Sequence, residues 1–419
     1  MQLARLLPCR AVAVLAFLLG SALAAPGAGA QQSATAPAAP LEPPVEVSST
    51  VSYQLVGRLD TDALNRILAV DTPKFFGVEV AYTPATNAVR LYRVTYASLI
   101  PEQNNRPTLA SGLLAVPDIE GTRFPLVSYQ HGTVYEKQQV PSFADQSPET
   151  LLMIAQFAGQ GYLLIGADYF GLGTSREPEG YMVKASHQQA TQDMLTAARA
   201  VIAHMGLADD GLYLGGWSQG GFVTLAMLER LEQSGTPVRA TATASAPIDV
   251  FAALNGFLGY PRKNDADWVN SLFILSAFSF ENYYGVPGLA RSLIRDEHYE
   301  AARKAYAREP VDPASIPADL RELLNADYFD ARFFAASAYG RLVADTEVYR
   351  WLYATPVRTY YGEADEAIAT GLGRLAMTYQ QAIGNGNPNV QAITTGPTSH
   401  RGTFASAVPD WKIWFDATR

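Results

Sequence analysis

The 419-residue sequence predicts an α/β fold, a mostly parallel sheet flanked by helices with a helical cap inserted late in the chain. Three observations predict it. Apolar strand segments alternate with helical ones along most of the sequence. Those strand segments are nearly continuous in apolar residues, the pattern of strands covered on both faces. A block at roughly 251–353, rich in aromatics and helix-forming segments, interrupts the alternation.

The elements follow in order from residue 51, where the texture becomes globular. "VRLYRVTYASL" (89–99) and "TLASGLLAVP" (108–117) alternate or are rich in β-formers, and read as neighbouring antiparallel strands. An apolar strand follows from Phe124 to Tyr129. "ETLLMIAQFAGQG" (149–161) has apolar residues at helical spacing and ends at glycine. "YLLIGADYFG" is another buried strand, and "SHQQATQDMLTAARAVIAHMG" (186–206) a long helix stopped by Gly206. "GLYLGG" is a strand running directly into "GGWSQGG" (215–221), and "GFVTLAMLERLEQSG" (221–235) is the helix leaving it. Later strands are "RATATASAP" (239–247), "PVRTYYG" (356–362) and "NVQAITT" (389–395). "FASAVPDWKIWF" reads as a closing helix that packs Trp411 and Trp414. The block at 251–353 falls between two sheet strands. A loop that long with its own helices reads as a cap over an active site, the alternative being a helical subdomain without a gating role.

The first thirty residues have a different character. Arg5 and Arg10 precede the apolar run "AVAVLAFLLG", which is too short to span a bilayer. Small residues follow, and the pattern reads as a signal peptide over residues 1–24, with a cut there or as late as residue 30. An Ala-, Pro- and Gln-rich leader covers residues 25–50 and precedes the domain at 51–419. Localisation is therefore expected to be secreted or periplasmic. The single cysteine, Cys9, would leave with the signal, so no disulfide, thiol chemistry or cysteine metal site is expected. A formal net charge of −9 makes nucleic acid and anionic headgroups poor partners. No second long apolar run suggests a membrane segment in the mature chain.

"GGWSQGG" carries the chemistry. A buried strand enters Ser218 and a helix starting near Gln219 leaves it. A serine in such a turn is held in a strained backbone conformation, and neighbouring Cβ atoms would collide with the adjoining strand and helix. Gly216 and Gly220 remove those collisions. The helix N-terminus offers free N–H groups and the positive end of a dipole to an oxyanion.

A serine hydroxyl needs a base to become a nucleophile. Of five histidines, His187 and His204 lie along the long helix and read as core or solvated residues, and His298 lies in the cap. His400, in "TTGPTSHRGTF" between the last strand and the closing helix, can reach back over the sheet edge where Ser218 sits. The third member should be a carboxylate on a loop after a strand between the two. "TYYGEADEAI" supplies Glu363, Asp365 and Glu366, of which Asp365 fits best, and Asp249 in "SAPIDV" is the other site. For the oxyanion hole, one donor is the Gln219 backbone N–H. The other is the N–H of Thr133, or of Gly132, in "YQHGTV", where His131 more naturally braces the loop.

With Ser218, Asp365 and His400 in that order, the chain resembles the α/β-hydrolase superfamily, and within it exported bacterial esterases and the secretory lipase-like group. The matching stretches are "YQHGT", "ADYFGLGTS" with "SHQQATQDMLTAARA", "GGWSQGG", "GEADEAI" and the late "SH". The resemblance implies the α/β-hydrolase fold with an eight-stranded, mostly parallel sheet, a helical cap, and neither cofactor nor metal. It also places Asp168 and Tyr169 in the floor of the site. The expected activity is cleavage of a small-molecule or lipid-like carboxylic ester. A peptidase or amidase with the same triad and a non-catalytic binding protein of the same fold are the rivals.

Overall fold

Ten strands form one sheet in the computed structural model, which describes residues 42–419. Residues 1–41, which hold the expected signal peptide and most of the leader, lie outside the described residues. The strands are β1 (Val45–Ser48), β2 (Val51–Leu59), β3 (Val89–Ile100), β4 (Arg106–Pro117), β5 (Arg123–Gln130), β6 (Leu163–Ala167), β7 (Ala208–Trp217), β8 (Ala240–Ala244), β9 (Val357–Tyr361) and β10 (Val390–Thr394). Their order across the sheet is β1-β2-β3-β4-β6-β5-β7-β8-β9-β10. The run from β6 to β10 is parallel, and β1 to β4 join it through antiparallel pairings. The expectation of eight strands is thus corrected to ten. β1 and β2 are half-buried or exposed at the sheet edge and lack the apolar run that marks the central strands.

Helices α1 (Thr61–Arg66), α2 (Thr72–Phe76), α3 (Pro148–Gln156), α4 (Lys184–His204) and α5 (Gln219–Gln233) precede β8. The block between β8 and β9 forms α6 (Val250–Gly259), α7 (Asn270–Tyr284), α8 (Leu289–Leu293), α9 (Asp296–Tyr306), α10 (Leu320–Leu323), α11 (Ala331–Ala336) and α12 (Ala338–Ala344). Then come α13 (Thr370–Ala382) and α14 (His400–Ala417). No helix among the described residues is long and apolar enough to cross a membrane.

The central strands β6 and β8 are buried at every position, because helices cover both faces. One face packs α4 and α5 in a core that runs on without a break into the α6–α12 block. The other packs α1, α3 and α14. Trp411 of α14 is fully buried there, and truncating it to alanine would cost about 3–5 kcal/mol. α14 starts four residues earlier than the sequence suggests. The Ser399 hydroxyl accepts the Gly402 N–H and caps the helix, so His400 is its first residue and is set by a rigid element, not by a loop.

The α6–α12 block is tied to the body by polar contacts as well as by its core. The Arg308 guanidinium, just after α9, meets the buried Glu179 carboxylate at 2.6 Å and reaches the Val134 carbonyl at 3.3 Å. The Tyr306 hydroxyl donates to the Glu179 carbonyl at 2.6 Å and Tyr283 to that of Pro178 at 2.9 Å. Burial pushes the Glu179 carboxyl up, and the Arg308 charge pulls against it.

Candidate active site

Ser218 stands between β7 and α5 at φ 54°, ψ −127°, outside the regions that L-residues favour. Its N–H donates to the Ala244 carbonyl at 2.9 Å, which pins the strained turn to the neighbouring strand. The flanking glycines are required by contact: a Cβ at Gly220 would collide with the Gln130 carbonyl, and one at Gly216 with the Thr224 hydroxyl and the Gly220 carbonyl. Such strain persists only where the surroundings over-determine it, which is the situation here.

The fold brings Ser218, His400 and Asp365 together. Ser218 Oγ lies 2.9 Å from His400 Nε2, and His400 Nδ1 lies 3.0 and 3.2 Å from the two Asp365 oxygens. Nδ1–H donates to the carboxylate, which leaves Nε2 free to accept the serine proton. Asp365 Oδ1 also accepts the N–H groups of Ala367 and Ile368, both at 2.8 Å. Burial alone would raise the Asp365 pKa. The positive charge of a protonated His400 and these hydrogen bonds outweigh it and hold the carboxyl below its ordinary value. Glu366 accepts the His400 backbone N–H at 2.9 Å.

The other acid candidates lie elsewhere. Asp249 caps α6, accepting the Ala252 N–H at 2.9 Å, and Glu363 accepts from the Thr394 hydroxyl at 3.1 Å. The oxyanion-hole candidates divide in the same way. The Gly132 N–H donates to Glu149 Oε1 at 3.0 Å, so it is engaged and cannot also serve as the alternative donor. The Thr133 and Gln219 N–H groups donate to no group among the described residues.

Two other histidines, His131 and His187, are buried and stand outside the triad. His131 is fully buried, stacks on Tyr169 with ring centroids 4.1 Å apart, and faces the Gly132 and Asp168 carbonyls with its two ring nitrogens. Burial drives its pKa down to about 4. His187 is buried and pushed to about 3 by desolvation. Asp168 accepts from the Ser111 and Ser142 hydroxyls at 2.6 Å each and braces the loop after β5.

Two features of the site have no clear sequence signal. Glu149 reads as an ordinary first-turn acid of α3, yet it is buried and accepts N–H groups from Gly132 and from the Trp217 indole. An apolar cavity of ≈ 30 Å³ opens on Ser218, lined by Tyr181, Leu254, Phe257, Trp268, Leu272 and Ile368 among others. Trp268, from the block between β8 and β9, also lies 5.7 Å from His400, centroid to centroid. Among the described residues no cluster of three or more His, Cys, Asp or Glu side chains could hold a metal ion.

The sequence matches no protein-family model and no curated protein. Solved structures do match. The rice cell wall degrading esterase LipA from Xanthomonas oryzae superposes with a TM-score of 0.75 at 21% identity, over 88% of this chain and 98% of that one. A hydrolase from Legionella pneumophila, described as putative, has a TM-score of 0.75 at 21% identity, over 90% and 98% of the two chains. Candida antarctica lipase A in its closed state has a TM-score of 0.60 at 12% identity, over 87% and 81%. The chain has the hydrolase fold of these esterases and lipases.

Proposed function

We propose that this chain is a secreted or periplasmic serine hydrolase of carboxylic esters, of the exported bacterial esterase and secretory lipase-like type. The observation that carries the reading is the unbroken hydrogen-bonded series Ser218–His400–Asp365 at a strained strand–helix turn. In this reading His400 Nε2 takes the Ser218 proton as Oγ attacks the ester carbonyl carbon. Asp365 stabilises the imidazolium, and the N–H groups of Gln219 and Thr133 receive the oxyanion. Collapse of the tetrahedral adduct expels the alcohol, which takes the proton from His400. Water, deprotonated by His400, then attacks the acyl-enzyme, releases the acid and restores Ser218.

Esters are favoured over peptides because the residues lining the cavity at Ser218 include no charged side chain to anchor a peptide ammonium. The descriptions of the solved relatives, esterases and lipases, point the same way. The cavity is lined almost wholly by apolar side chains, which suits an uncharged acyl or aryl group. Export is supported by the pattern of the first thirty residues.

The test is a panel of p-nitrophenyl esters of graded acyl length, run beside peptide anilides with the mature chain. Turnover of the esters, and its fall by roughly 10⁴–10⁶ in Ser218→Ala, is expected. Equal turnover by Ser218→Ala would overturn the reading, and faster cleavage of anilides than of esters would replace it with an amidase.

A further inference from the structure

The Glu149 carboxylate sits between the two chain segments that carry the proposed oxyanion donors. Its Oε1 accepts the Gly132 N–H at 3.0 Å, and its Oε2 accepts the Trp217 indole N–H. Gly132 immediately precedes Thr133, and Trp217 lies two residues before Gln219. One side chain from α3 therefore ties the loop after β5 to the nucleophile turn after β7.

The packing around this link is tight. A Cβ on Gly132 would stand 3.0 Å from the Trp217 indole and 3.3 Å from Glu149 Oε2, so the loop has little room to shift against either. The Trp217 ring also lies beside the His400 imidazole, centroids 5.1 Å apart, and stacks on Phe404 at 5.2 Å. Holding the indole by its N–H thus fixes one wall against the base as well.

The chemistry of the link calls for a carboxylate. Two N–H donors converge on one side chain, and a carboxyl group presents an oxygen to each; an amide presents one acceptor and one donor. An acid here works against burial, which pushes Glu149 up to about 7 despite the Trp217 and Gly132 hydrogen bonds and the more distant Arg401 charge. A group kept under such a penalty needs a reason beyond filling space.

We propose that Glu149 is a positioning residue of the oxyanion hole, setting the separation of the Thr133 and Gln219 N–H groups by bridging Gly132 and Trp217. The inference rests on the serine-hydrolase reading above. Glu149 touches no reacting atom in it. Its effect is geometric, and misplaced donors weaken the transition state more than the bound ester.

The experiment compares wild type, Glu149→Gln, Trp217→Phe and the double variant on p-nitrophenyl acetate. The active sites are counted by titration with a p-nitrophenyl phosphonate, so that kcat refers to folded, competent molecules. Glu149→Gln is expected to lower kcat per titrated site about 10–100-fold with KM within about threefold. Trp217→Phe removes one of the two bonds and is expected to lower kcat about 3–10-fold. The double variant should be no worse than Glu149→Gln, because the introduced amide then meets a single N–H donor and its carbonyl oxygen can accept it. A merely structural role would lower the melting temperature and the titratable fraction while leaving kcat per site and KM unchanged.

Glu149→Gln with kcat per site within twofold of wild type overturns the inference. If that variant does not fold, an unchanged kcat per site in Trp217→Phe overturns it instead. Ser218→Ala keeps the two failures apart: full activity there sinks the hydrolase reading, whereas an inactive Ser218→Ala beside a fully active Glu149→Gln sinks only the role of Glu149.

Discussion

Two buried carboxylates flank the Ser218 turn, and their partners shift their pKa values in opposite directions. Asp365 faces a histidine that can become positive and two backbone N–H groups, and its pKa falls below the ordinary value in spite of burial. Glu149 is also buried but accepts only neutral donors from Gly132 and Trp217, and its pKa climbs from 4.5 to about 7. Burial is common to both and works in the same direction. The difference is a chargeable partner within hydrogen-bond reach, which neutral N–H groups and the distant Arg401 do not replace in a medium that solvates ions poorly.

The largest effect should come from removing the charge on the Asp365 side. Asp365→Asn keeps the shape but presents an amide to Nδ1 and favours the wrong imidazole tautomer. It should lower kcat by roughly 10⁴ with a smaller change in KM, read by steady-state hydrolysis of p-nitrophenyl acetate. A loss of less than tenfold would mean that His400 is oriented by its helix and by Glu366 alone.

Next comes the contrast in pH dependence. The raised folded-state pKa of Glu149 means that its contribution to stability is fully present below about 4.5 and is lost as pH rises through about 7. The lowered pKa of Asp365 works in the other direction: its contribution is present above the ordinary carboxylate range and is lost as pH falls through the folded value. Urea unfolding of wild type and Glu149→Gln at pH 5 and pH 8 should therefore show the variant's relative stability improving by up to about 3 kcal/mol at the higher pH. A gap that is the same at both values would show that Glu149 titrates as an ordinary acid.

The smallest effect belongs to a carboxylate outside the pair. Asp249 caps α6 and accepts the Tyr349 hydroxyl at 3.2 Å. Asp249→Ala should cost about 1 kcal/mol, seen as a small drop in melting temperature, with kcat per active site unchanged. A large loss of kcat there would reopen the assignment of the acid.

How far the site can be read from residues alone depends on how local each constraint is. Ser218 is legible because a strained strand–helix turn must leave Gly216 and Gly220 bare, and both glycines lie within two residues of it in the chain. His400 and Asp365 are legible as the histidine and carboxylate that follow late strands, although the start of α14 at His400 is hidden in the polar "PTSHRG", which looks like a loop. Glu149 has no such signature. Its position after Ser147-Pro148 looks like the surface acid of a helix first turn, and only the meeting of three distant segments reveals that it is buried. The edge strands β1 and β2 escape a sequence reading for a related reason, since half-exposed strands carry little apolar pattern.

Local chemistry by itself thus determined the alternation of strands and helices, the place of the inserted block and the glycine-flanked turn at Ser218. Backbone sterics and hydrophobic periodicity act within a few residues, so they are written into consecutive positions. Tertiary structure alone decided which of four carboxylates faces His400, which oxyanion candidate keeps a free N–H, which side chains line the cavity at Ser218, and that Glu149 joins the two loops. Each of those depends on segments tens to hundreds of residues apart meeting within hydrogen-bond reach, and on the burial that their meeting creates.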